Sequence, residues 1–134
     1  MPEFVADTHP LVWHLTRDAH LSPRCRRFFV QADAGNSTIW VPAIVLVEVI
    51  YLVEKRRLPE VLTSQIFALL EPPAVNYRLA GLDLTILRVL PRVKREAVPD
   101  MPDRIIAATA LSLGLPLLSR DQALAAVEGL EVIW

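Results

Sequence analysis

Cysteine is nearly absent from this chain of 134 residues: Cys25 stands alone. That excludes an internal disulfide framework and points to a reducing compartment. One cysteine and three histidines also give no cluster with zinc-ligand spacing. Glycine is scarce as well, with four in total, and no glycine-rich phosphate loop of the P-loop or dinucleotide type occurs. A Gly-x-Ser-x-Gly nucleophile elbow is likewise missing. Charge of one sign is not in excess, since 14 Lys and Arg face 15 Asp and Glu for a formal charge of −1. No global basic field therefore steers nucleic acid toward it. The longest uncharged apolar stretch, Ile105 to Ser119, is too short to span a bilayer and is interrupted by Gly114 and Pro116. Charges at Glu3 and Asp7 break any signal-peptide pattern at the N-terminus. The expectation is one soluble, cytoplasmic domain over residues 1–134, with no membrane association.

What the chain does have is apolar surface and clustered arginine. It is 53% hydrophobic, high for so short a monomer, so part of that surface is expected to face a second subunit or a partner protein. The basic residues fall in three runs: Arg24, Arg26 and Arg27; Lys55, Arg56 and Arg57; Arg92, Lys94 and Arg95. Such runs are ordinarily solvated helix faces and become informative only if the fold gathers them around one site.

The hydropathy pattern reads as short apolar strands alternating with helices. Strands are expected at Glu3–Ala6, Thr38–Val41, Val75–Leu79, Pro116–Leu118 and Glu131–Trp134. Helices are expected from an N-cap at Thr8 to about Arg17, from Ser22-Pro23 to about Ala34, and over Glu60–Leu70, Leu82–Val93, Asp103–Leu113 and Gln122–Val127. Ala43 to Arg57 is locally ambiguous. Its β-branched residues favour a strand, but its length and its Glu-Lys-Arg-Arg tail suit a helix. This alternation implies an α/β fold: a three-layer α/β/α sandwich with a central parallel sheet. Sites in such folds lie beyond the carboxyl ends of the strands, near the switch in strand order.

Four carboxylates draw attention on that basis. Glu48 is the one charged residue among the eleven positions from Ala43 to Val53, and an ionised carboxylate on an apolar helix is costly without a partner or a metal. Asp7 follows the first strand, Asp121 follows the strand at Leu117-Leu118, and Asp103 opens a helix. Each has an ordinary alternative, as a helix cap for the aspartates and as an outward-facing or arginine-paired side chain for Glu48. Together they suit one chemistry. Several carboxylates around a small cavity repel one another unless a cation lies between them, and hard divalent ions take oxygen ligands. Phosphodiester hydrolysis is a reaction such a centre supports.

The residues around these carboxylates carry a resemblance. Phe4 to Trp13, with Asp-Thr-His and a tryptophan, resembles the opening of PIN domains. Val41 to Val49 resembles their second motif, Pro102 to Leu111 their third and Gly114 to Asp121 their fourth. The third and fourth motifs are the most specific, and the similarity runs in order along essentially the whole chain. It implies an Mg²⁺- or Mn²⁺-dependent endoribonuclease with Asp7, Glu48, Asp103 and Asp121 as metal ligands and Ser119 as a hydroxyl able to orient water. Single-domain chains of this size resemble the VapC group, the toxin half of toxin–antitoxin pairs. That implies an RNA substrate, a homodimer, and an antitoxin whose tail lies over the site. Ile50–Val53 and Val61–Leu70 are the interface candidates. Two departures stand out: Ala43, Ile44 and Val45 occupy positions where a Ser or Thr usually precedes the second-motif glutamate, and Ser119 stands where Thr is frequent.

Supporting roles have alternatives. Asp100 is an outer ligand or an exposed loop aspartate. Arg104 and Arg120 bind phosphate and balance the carboxylates, or form structural contacts. His9 is near enough to reach substrate, though a surface histidine is the commoner case, and Trp13 and Trp40 are expected in the core. Two other classes of function compete: a PIN-like protein-binding scaffold with little catalysis, and a phospho-receiver. The second is disfavoured because neither Lys55 nor Lys94 follows a fifth strand.

Overall fold

A computed structural model describes all of residues 1–134. Five strands form one parallel sheet: β1 (Glu3–Ala6), β2 (Thr38–Pro42), β3 (Tyr77–Ala80), β4 (Leu117–Leu118) and β5 (Val132–Ile133). Their spatial order is β3-β2-β1-β4-β5. Phe4, Val5 and Ala6 are all buried, as are Ile39 and Val41. Such continuous apolar strands suit a parallel sheet covered on both faces, where alternation would put polar groups into the core. Seven helices supply the cover: α1 (Thr8–Leu15), α2 (Pro23–Asp33), α3 (Ala43–Glu54), α4 (Val61–Leu70), α5 (Leu84–Val89), α6 (Met101–Leu113) and α7 (Gln122–Ala125). The architecture is the expected three-layer α/β/α sandwich.

Strand order decides where a site can form. The chain leaves β1 and builds outward through β2 and β3, then crosses back to place β4 and β5 on the other side. Val5 and Ala6 pair with Leu117 and Leu118 across that junction, and Asp7 N–H donates to the Leu118 carbonyl at 3.1 Å. The carboxyl ends of β1 and β4 therefore lie side by side at the switch point, with a crevice beyond them.

Local chemistry sets most boundaries. Ser22 caps α2 by accepting from Cys25 N–H, with Pro23 in the first turn. Gly114 ends α6 at φ 67°, where a residue without Cβ is favoured. The ambiguous segment at Ala43 is helical, but it stops at Glu54 rather than Arg57, with Arg56 at φ 58° turning the chain away. Asp83, accepting from Ile86 N–H, starts α5 two residues later than the pattern implies, and Leu90–Arg92 around Pro91 is a 3₁₀ turn. The third strand begins at Tyr77 rather than Val75.

Two corrections concern expected caps. Asp7, not Thr8, caps α1, its carboxylate accepting from Thr8 N–H. Likewise α6 begins at Met101, so Asp103 sits inside its first turn and Asp100 takes the cap position. Both shifts free a side chain for other work: Thr8 no longer spends its hydroxyl on the helix start, and Asp103 is not held by a backbone amide.

Away from the switch point, Asp33 ties three elements together. Its carboxylate accepts from the Tyr77 hydroxyl at 2.7 Å and meets His14 Nε2 at 2.8 Å, while His14 stacks on Phe29 at 4.8 Å. Burial and the neighbouring Asp33 charge raise the Tyr77 pKa, so that hydroxyl stays a donor. Phe29 is fully buried, and Phe29→Ala should cost about 3–5 kcal/mol through lost burial and a residual cavity. A urea titration followed by tryptophan fluorescence checks this through a lowered midpoint.

Candidate active site

A pocket of about 260 Å³ opens at the switch point, and Asp7, Glu48, Asp100, Asp103 and Asp121 all line it. The carboxylates singled out in the sequence, together with Asp100, are thus brought together from four separate places in the chain. Asp7 and Asp121 come from the ends of β1 and β4, Asp103 from the first turn of α6, and Glu48 from the middle of α3.

Asp7 is the most tightly held. It is buried; Oδ1 accepts from Thr8 N–H at 2.8 Å and Oδ2 from the Ser119 hydroxyl at 2.7 Å. Ser119, also buried, in turn accepts from Asp121 N–H at 3.0 Å. One hydroxyl therefore links the first motif to the fourth. Asp121 caps α7, its Oδ1 accepting from Ala123 N–H at 2.9 Å, so its cap role and its position in the pocket coexist.

Glu48 is oriented from outside its own helix: the Thr8 hydroxyl donates to its Oε1 at 2.6 Å. This answers the departure in the second motif. Where Ala43, Ile44 and Val45 offer no hydroxyl, Thr8 on α1 provides one. No lysine or arginine pairs with Glu48, and the chain's two side-chain ion pairs, His14–Asp33 and His20–Asp18, both lie elsewhere.

Electrostatics follow from this crowding. Burial raises the pKa of Asp7 against the lowering effect of its hydrogen bonds from Ser119 and Thr8, and Asp121 adds to the rise. Burial likewise raises Glu48, with the charges of Asp7 and Asp100 adding to it. Asp103 is pushed up to about 8, by desolvation first and then by the charges of Asp100, Asp7 and Asp121. Each shift reports a carboxylate that resists ionising beside its neighbours.

The remaining residues divide. Arg120 lines the pocket and lies over the Trp13 ring at 4.7 Å. Arg104 does not: its guanidinium turns away to the Val93 and Leu90 carbonyls at 3.1 and 3.2 Å. It closes the turn after α5, so the phosphate-binding role considered for it is set aside. Trp13 was expected in the core, yet it lines the pocket together with His9. Their i, i+4 spacing on α1 was the available signal, because it places both on one helix face. Trp40 is half-buried, its Nε1 donating to Glu3 at 2.9 Å.

The donor set suits a hard divalent cation: five carboxylates dominate it, with one imidazole, His9, and no thiolate. No three of these side chains form a ready-made coordination set. Mg²⁺ needs only one or two direct carboxylates because it retains water ligands.

These shifts have a sign. Over the window from the unfolded carboxylate value up to about 8, the folded chain holds protons that the unfolded chain has released. Without metal, stability should therefore fall as pH rises through that window. Asp103→Asn should raise the metal-free melting temperature at pH 8 by roughly 3–5 °C, on the order of 1 kcal/mol. Thermal melts in EDTA across pH check both, and a melting temperature that rises from pH 5 to 8 would contradict the assignment.

Solved structures share this fold. VapBC2 from Rickettsia felis, bound to a DNA fragment from its promoter, matches with a TM-score of 0.73 at 18% identity, over 98% of this chain and 97% of that one. DNA-bound VapBC from Salmonella typhimurium matches with a TM-score of 0.72 at 18% identity, over 99% and 98%. No curated protein matches the sequence. The PIN domain family model matches residues 4–130, so nearly the whole sheet and its surrounding helices fall within it, and the chain belongs to the PIN domain family.

Proposed function

We propose that this chain is an Mg²⁺- or Mn²⁺-dependent endoribonuclease and the toxin component of a toxin–antitoxin pair, acting in the cytoplasm as a single-domain protein. The observation that carries this reading is the gathering of five carboxylates around one pocket with no lysine or arginine ion-paired to any of them. The family and the VapBC neighbours support it.

Asp7, Glu48, Asp103 and Asp121 would hold the ion, with Asp100 beside them. When bound, the ion supplies charge neutralisation at the phosphate and an activated water. The chain's own residues prepare the place. Thr8 and Ser119 hold Asp7, and the Thr8 hydroxyl holds Glu48, so both carboxylates have a fixed orientation before any ion binds. Asp103, whose carboxyl is pushed up to about 8 by burial and its acidic neighbours, would hold a cation in its deprotonated form. Arg120, which lines the same pocket, would meet a substrate phosphate.

The apolar content finds an outlet in the same reading. Val47 and Tyr51 on α3 and Val61 and Phe67 on α4 are exposed, and these helices are the surface assigned to a homodimer or the antitoxin. No helix is long and apolar enough to cross a membrane.

A second reading, a PIN scaffold with little catalysis, draws on the lack of a ready-made coordination set. One experiment separates the two. Cleavage of single-stranded RNA should stop in EDTA and return with Mn²⁺, and Asp7→Asn should lower the rate by at least about a hundredfold, with Ser119→Ala weakening Mn²⁺ binding about tenfold. Cleavage that persists in EDTA overturns the metal-dependent reading. A protein that binds no Mn²⁺ by calorimetry yet co-purifies with a partner supports the scaffold.

A further inference from the structure

A second groove, of about 490 Å³, adjoins the acidic pocket and shares Thr8, His9 and Trp13 with it. Its character differs. Val12, Leu52, Leu58 and Pro59 give it an apolar wall, and Arg57 stands on its border. The volume falls within the range of about 300–1,000 Å³ typical of small-molecule clefts.

Arg57 is the feature that points to a ligand. It belongs to the basic run at the end of α3, and its guanidinium has neither an ion-pair partner nor a hydrogen bond within the chain. Of the three basic runs, only this one contributes to the groove beside the carboxylates. Its position is set by the left-handed turn at Arg56 and by Arg57 N–H bonding to the Leu52 carbonyl at 2.9 Å. The early end of α3 thus turns Arg57 into the groove.

The aromatic residues define what can fit. Trp13 already has Arg120 over its ring at 4.7 Å and His20 stacked at 5.4 Å. His9 is exposed on the ridge between the two pockets, tilted against Trp13 at 5.4 Å. A flat ring entering the groove meets the apolar wall and the exposed His9 imidazole. Asp18 also lines the groove and keeps its charge, its carboxylate held by the His20 backbone N–H at 2.8 Å and the ring at 2.6 Å, so a phosphate is disfavoured beside it and favoured beside Arg57. A ligand with a planar apolar body and one negative charge on the Arg57 side satisfies every wall.

We propose that this groove is a subsite for one nucleotide flanking the cleaved bond of single-stranded RNA. Its base lies on the Val12–Leu52–Leu58 wall beside His9, and its phosphate meets Arg57. The inference rests on the nuclease reading for its substrate class. It adds that binding requires a splayed, unpaired base, since a duplex would keep that base stacked and away from the wall.

The test is equilibrium binding of a short, end-labelled single-stranded RNA by fluorescence anisotropy in Ca²⁺, from about 50 to 200 mM salt, with cleavage in Mn²⁺ measured in parallel. Arg57→Ala should weaken binding about tenfold and reduce the slope of log affinity against log salt by about 0.7, the loss of one phosphate contact. Arg57→Lys should restore the slope, which a purely structural role would not produce. His9→Ala should weaken binding about fivefold or more. The groove assignment is overturned if the wild-type protein binds no RNA, or if Arg57→Ala matches it in affinity and slope. Arg57-dependent binding without any cleavage instead sinks the nuclease reading and leaves the subsite standing. Cleavage with an unchanged salt slope does the reverse.

Discussion

Asp7, Glu48, Asp100, Asp103 and Asp121 repel one another across a pocket of about 260 Å³, and no lysine or arginine forms an ion pair with any of them. The free chain tolerates this in part by keeping protons: Asp7, Glu48 and Asp103 all resist ionising. Charges gathered in this way lower stability unless the surrounding structure holds them. The hydrogen bonds from Thr8 and Ser119 do so at close range, and the sheet does so at longer range. A PIN domain with this arrangement keeps an acidic pocket at the expense of the stability that ion pairing would have given.

The support is geometric before it is energetic. Asp7 and Ser119 meet because β1 and β4 are neighbours whose carboxyl ends finish together at the switch in strand order. Behind them lie Val5, Ile39, Val41, Ile106, Leu117 and Leu118, all buried, so the strands that carry the acidic ends cannot shift independently. Close packing of this kind transmits little compliance to the groups it holds. Thr8 adds the cross-connection to α3, without which Glu48 would be free to rotate along an otherwise apolar helix.

Helix α3 has two jobs that share one element. Val45 and Val49 face the core, Glu48 faces the pocket, and Val47 and Tyr51 face outward. Its end at Glu54, forced by the turn at Arg56, also sets where Arg57 lies. The outward apolar residues lie within one turn of Glu48, so the apolar surface and the acidic pocket are mechanically adjacent. This is why an apolar helix with a single charge in its interior reads so oddly in isolation: it answers to three different environments.

The element types and their order were legible from hydropathy period and punctuation, because burial on both sheet faces and breaks at Pro and Gly act locally. So were Asp7, Glu48, Asp103 and Asp121, since a carboxylate next to an apolar run is conspicuous without any neighbour in view. The Ser22 cap was legible too, but the choice between Asp7 and Thr8 at α1 and the exact start of α6 were not. Thr8 and Asp7 are both acceptable caps by type, and the nearness of Glu48, forty residues away, recruits the Thr8 hydroxyl for another bond. The roles of the arginines and of Trp13 were equally hidden. Arg104 and Arg120 each adjoin an acidic residue, yet one reaches back to the Val93 and Leu90 carbonyls and the other covers an indole at the pocket rim. A long flexible side chain takes its partner from whatever lies within reach in three dimensions, so the sequence by itself determined which groups could do chemistry, and the packing of the sheet and helices decided which of them meet.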